Sequence, residues 1–127
     1  MSRVLWVCVG GAAGTGLRYW LSGWILRHSG PGFPLGTLAV NTIGSFLLGF
    51  LMEIGASGGL LGPTLRIGLT TGLMGGFTTY STFNYETVEY VREGAWALAA
   101  ANVGTTVIVC LVAGFAGLAA GKSLLGG

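Results

Sequence analysis

Lysine, arginine, aspartate and glutamate are absent from residues 4–17, 28–52, 54–65, 67–85 and 94–121. Between the charges the apolar positions run almost unbroken, without the strict alternation that marks a half-buried strand. A helix that crosses a bilayer needs about 20 apolar residues. Hydropathy therefore predicts four helices, over residues 4–26, 36–53, 65–91 and 95–120. The connections between them are short and rich in turn formers: residues 28–34 with Gly30, Pro31 and Pro34, residues 56–59 with Pro63 just beyond, and the corner at Arg92, Glu93 and Gly94. In lipid every backbone polar group must be satisfied internally, and spans of this length suit helices rather than ten-residue barrel strands. The expected fold is an all-α integral membrane protein, a single four-helix domain over residues 1–127. Arg3, the apolar run after it and the pair Ala12 and Ala13 give the N-terminus the outline of a secretory leader. The apolar character continues through Trp20, Leu21, Trp24, Ile25 and Leu26, which is too long for a cleaved segment. Trp20, Trp24 and Phe33 suit an interfacial belt instead.

Composition narrows this further. Hydrophobic residues make up 52% and charged residues 8%, with 25 glycines among 127 residues. Soluble proteins carry roughly 25% charged residues. Six basic and four acidic side chains cannot cover a soluble surface of this size. A soluble enzyme, a disordered chain and a nucleic-acid binder are excluded, the last because a net charge of +2 leaves no basic footprint for a polyanion.

The basic residues give almost no orientation, unless Arg3 or Lys122 alone fixes it. Four helices place Arg3, Arg66 and Lys122 on one side and Arg27 and Arg92 on the other, with Arg18 inside the first span. Short-loop Lys and Arg set topology, so a balanced count lets a chain insert both ways, and two opposed copies could then pair. Four-spaced small residues (Gly10 and Gly14; Gly68, Gly72 and Gly76; Gly117 and Gly121) allow close helix approach, within one chain or between copies.

Candidate chemistry concentrates in the third span. Gly72, Gly75 and Gly76 are followed by Thr78, Thr79, Tyr80, Ser81, Thr82 and Asn84. Glycine costs about 1 kcal/mol relative to alanine inside a helix, and β-branched threonines add no support. The helix is expected to break near residues 75–79. A break frees carbonyls that suit a hard cation and N–H groups that suit an anion, unless it is only a kink packed through threonine hydroxyls. Asn41 lies within a long charge-free stretch, where an amide must find a partner, either a ligand or a neighbouring helix. Asn102 and Thr106 are four apart and share a face of the fourth span. Arg18 inside a span is either functional or snorkelling, and Glu86 either pairs with a base or guards a pore mouth. Glu89, Arg92 and Glu93 form a solvated helix end. Cys8 and Cys110 suit small apolar packing positions, and His28 suits a solvated loop.

Three stretches together resemble the Fluc (CrcB) family of fluoride channels: GGAAGTGLRY (residues 10–19), GTLAVNTIGSFLLG (residues 36–49) and GLMGGFTTYSTF (residues 72–83). The resemblance extends over the whole chain. It implies four membrane helices with the third broken at midplane, in an antiparallel, dual-topology homodimer of the cell inner membrane. Two pores would export fluoride passively. It further implies a structural sodium ion at the dimer centre, held by the carbonyls of Gly75 and Thr78 from both copies. Pore aromatics would be Tyr80 and Phe83, and the pore amide Asn41. A polar track would comprise Ser81, Thr82, Thr37 and Thr106, with Arg18 in the vestibule and Glu86 at the pore end. The family carries phenylalanine where this chain has Tyr80, which adds a hydroxyl at the rim. A small multidrug/proton antiporter is the alternative of the same size. It needs a carboxylate deep in the first span, and this chain has none there. A non-transporting assembly subunit would not need the polar stripe. No nucleophile–base pair, metal cluster or phosphate loop points to an enzyme.

Overall fold

The computed structural model describes residues 2–57 and 59–126. Every regular element among them is helical: α1 (Ser2–Ser29), α2 (Leu35–Ser57), α3 (Pro63–Ile67), a π-helical segment (Gly68–Met74), α4 (Gly75–Phe77), α5 (Tyr80–Arg92) and α6 (Trp96–Leu124). The three elements from Pro63 to Phe77 follow one another without a gap, so the chain forms four helical columns, the third of them in two halves. The columns are longer than the predicted spans. α1 continues through His28 and Ser29, and α2 through Ala56 and Ser57; Gly58 lies outside the described residues. His28 accordingly sits in the last turn of α1, its Nδ1 2.8 Å from the Trp24 carbonyl, rather than in a loop. Gly30 (φ 76°) then ends the helix. Pro63 starts α3 at a position where its missing N–H costs nothing. Gly94 (φ 74°) closes α5, with the Ala95 N–H returning 2.8 Å to the Tyr90 carbonyl.

Packing is glycine-mediated and internal. α1 lies against the π-helical segment and α4, and α2 lies along α6. A β-carbon on Gly14 would strike the Leu73 carbonyl, one on Gly76 the Gly11 carbonyl, and one on Gly117 the Phe46 carbonyl. The small-residue rows are thus engaged in seating this chain's own helices. Val40, Met74 and Phe77 form the buried centre, ringed by Leu21, Leu47, Leu51 and Leu73. Most other large apolar side chains point outward, among them Val4, Trp20, Ile108 and Phe115, the reverse of a soluble protein. Cys8 is one of the outward-facing residues, not a packing residue.

Two helical stretches, Leu35–Ala56 and Trp96–Leu124, are long and apolar enough to cross a membrane. α1 has the length but carries Arg18 midway, and the third column is divided. Contacts sort the column ends. The Arg66 Nη1 donates 3.4 Å to the Gly55 carbonyl, and a β-carbon on Gly121 would meet Glu53, so Arg66 and Lys122 share an end. Trp6 beside Gly68 brings Arg3 there too. The Tyr90 hydroxyl, 3.3 Å from the Gly32 carbonyl, places Arg92 near the α1–α2 turn that follows Arg27. The balanced division of basic residues inferred from the sequence is therefore the division the fold makes. Arg92 and Glu89 form an exposed ion pair at 2.6 Å.

Candidate functional site

The third column breaks at two residues. Thr78 (φ −86°, ψ 159°) and Thr79 (φ −150°, ψ 112°) are extended between α4 and α5. Such a break strands backbone groups that need partners. The Thr79 N–H, which a continuous helix would aim at the Gly75 carbonyl, instead donates to Asn41 Oδ1 at 2.7 Å. Asn41 Nδ2 returns a bond to the Thr79 carbonyl at 3.0 Å. One side-chain amide therefore satisfies both backbone groups of one residue, as a neighbouring strand would. Arg18 Nε donates 3.0 Å to the Gly76 carbonyl, at the negative end of the first half-helix. Thr79 caps the second half: its Oγ1 accepts from the Thr82 N–H at 3.2 Å and donates to Thr82 Oγ1 at 3.0 Å. The Ser81 hydroxyl lies 3.4 Å from the same oxygen. Gly44 on α2 makes room for the break, since a β-carbon there would strike the Thr78 methyl group.

The predicted site residues gather around this point but do not line one continuous surface. Asn41, Tyr80, Phe83 and Thr106 open onto a groove of about 480 Å³, shared with Ser45, Thr78, Thr79 and Cys110. Thr37, Thr82 and Glu86 open onto a separate recess of about 230 Å³, with Tyr19 and Ser22. Tyr80 is 76% exposed, and its ring stands edge-on to Phe83, with centroids 5.8 Å apart and planes at 63°. Thr37 Oγ1 donates to Glu86 Oε1 at 2.6 Å. Glu86 Oε2 is the one buried side-chain oxygen among the described residues that lacks a hydrogen-bond partner. Glu86 thus pairs with a hydroxyl and not with a base. Ser81 is exposed, and so is Gly75, where a β-carbon would meet nothing within 4 Å.

Two features of the site are not visible in the spacing of residues. The π-helical segment before the break widens the helix where Gly68 and Gly72 press on α1, and the glycine row is its only trace in the sequence. Asn102 is 1% exposed and donates to Thr87, a contact between α6 and α5 that only the fold creates.

Among known proteins, the family model described as CrcB-like protein, Camphor Resistance (CrcB), matches residues 5–118. The chain is 53% identical to the fluoride-specific ion channel FluC of Sorangium cellulosum (strain So ce56) over 127 residues, 100% of both chains. It is 52% identical to the protein of that name from Anaeromyxobacter sp. (strain K) over 116 residues, 91% of this chain and 92% of the relative. With that of Geotalea daltonii (strain DSM 22248 / JCM 15807 / FRC-32) the identity is 47% over 122 residues, 96% of this chain and 98% of the relative.

Proposed function

This chain belongs to the CrcB family, and from that premise we propose that it is a fluoride-selective ion channel of the membrane. As a channel it is not an enzyme. The observation that carries the proposal is the broken third column, with Asn41, Tyr80, Phe83 and Thr106 lining the groove beside it. A small, strongly hydrated anion passes only where a pore replaces its water without holding it too tightly. Asn41 lines the groove and bonds the Thr79 carbonyl through one N–H, which leaves its second N–H as a donor for the anion. The Thr106 hydroxyl adds a donor, and the positive edge of Phe83 adds a weak partner. Tyr80 contributes a phenolic hydroxyl at the exposed rim. The separate recess of Thr37, Thr82 and Glu86 would form a second polar segment of the route, on the side of the α1–α2 turn.

The groove is open on one side, which supports a second copy as its missing wall. Two copies in opposite orientation satisfy the even split of basic residues and give two pores. Four membrane crossings per copy and residence in the inner membrane belong to the same proposal. A structural sodium ion fits the break: the Gly75 carbonyl has lost its helical donor to Asn41, and Gly75 is exposed toward open space. Gly75 and Thr78 carbonyls from two copies would hold it, supplying fixed positive charge near the anion path.

Purified protein in liposomes is expected to release fluoride down its gradient and retain chloride, as read with ion-selective electrodes. Equal efflux of both ions would defeat the proposal. In the same assay Phe83→Ile is expected to lower fluoride flux at least about tenfold, because an aliphatic side chain has no positive edge; unchanged flux would remove the ring from the path. Three lysines added to the α1–α2 turn should fix one orientation and lower the yield of dimer expressed alone. An undiminished yield would argue against opposed copies.

A further inference from the structure

We propose that Asn102, through Thr87, is a positioning residue for Phe83, an inference that rests on the channel reading above. α5 carries Tyr80 and Phe83, yet none of its 13 residues is fully buried. A helix of that length is marginal alone and takes its stability from packing. With so little packing, polar bonds to neighbouring columns fix its place. Two come from α2: Asn41 at Thr79, and Thr37 at Glu86. The third comes from α6. Asn102 Nδ2 donates 3.0 Å to Thr87 Oγ1. Thr87 Oγ1 lies 2.9 Å from the Phe83 carbonyl and donates to it. The order of donors is forced. An amide NH₂ only donates, so the hydroxyl must accept from it and spend its single proton on the carbonyl. The chain of bonds therefore ends on the backbone of the residue whose ring edge meets the anion.

Asn102 is 1% exposed and lines neither the groove nor the recess, which supports a role through Thr87 rather than on the ion itself. Its amide is buried and needs this bond. Threonine hydroxyls that bond the carbonyl four residues back bend a helix locally. A buried donor behind the hydroxyl polarises that bond and fixes the bend. The direction of the Phe83 ring follows from it.

The test is a double-mutant cycle in proteoliposomes, with flux normalised to correctly folded protein. Thr87→Val, which only replaces the hydroxyl by a methyl group, is expected to lower fluoride flux roughly tenfold, and Asn102→Leu by a similar factor. The double variant should be no worse than either single one. Thr87→Ser, which keeps the oxygen, should restore flux. On a Phe83→Ile background Thr87→Val should change nothing further, because the residue being positioned is gone. Additive losses, or an effect of Asn102→Leu without one of Thr87→Val, would overturn the proposal. So would wild-type flux in both single variants. If Asn102→Leu fails to fold, Thr87→Val and its serine counterpart decide the matter alone. Should the unmodified protein release no fluoride, the channel reading itself fails, and that outcome is separate from all of these.

Discussion

Replacing Asn41 with leucine is expected to abolish fluoride efflux. The amide accepts from the Thr79 N–H at 2.7 Å and donates to the Thr79 carbonyl at 3.0 Å. Leucine is of similar size and offers neither. Thr79 is only 9% exposed, so its two backbone groups cannot turn to water. Each stranded group costs about 1–3 kcal/mol, enough together for a loss of at least about thirtyfold in the population that keeps the break open. The most direct escape is for Thr79 to return its N–H to the Gly75 carbonyl, which would close the helix and remove the oxygen offered to a cation. Efflux and detergent melting temperature should therefore fall together. Asn41→Asp keeps the acceptor for the Thr79 N–H and loses the donor, so it should melt between the two. An Asn41→Leu protein that conducts within about twofold of the original would show that the amide does not hold the break open.

Gly14→Val is expected to prevent folding. A β-carbon at Gly14 would lie on the Leu73 carbonyl, with the Phe77 N–H 2.9 Å away, so both obstacles are backbone. Neither can rotate aside. Relief requires α1 to move off the third column, which would also pull Arg18 from the Gly76 carbonyl. Overpacking costs about 1–3 kcal/mol where side chains can adjust, and more where they cannot. Size-exclusion chromatography should show aggregate in place of a single species. Gly16→Val supplies the control, because nothing lies within 4 Å of its β-carbon on the same helix. If both variants ran as the parent does, the close approach of α1 to the third column would be wrong.

These two positions also separate what could be read early from what could not. Gly10, Gly14, Gly68, Gly72 and Gly76 were visible as rows, but a row states only that something comes close. The fold supplies the partner, which is this chain's own backbone. The break was legible because glycine and β-branched residues cluster there, and the structure places it at Thr78 and Thr79, the far edge of the expected window. Asn41 was legible as an amide needing a partner in hydrocarbon, while its bond to Thr79, 38 residues away, was not. Arg18 stood out as a charge inside an apolar span, and Glu86 as a charge directly after the hydroxyl run. That one finds a carbonyl and the other a threonine hydroxyl depends on which columns adjoin.

By itself the sequence determined the class of solvent, the four columns and the weak point in the third, because these follow from hydropathy and from local backbone cost, which neighbouring residues alone decide. Tertiary structure decided which groups satisfy the broken backbone, how the polar residues divide between groove and recess, and how Asn102 reaches Phe83. Those outcomes rest on hydrogen bonds between residues far apart in the chain, whose partners are set only when the columns pack.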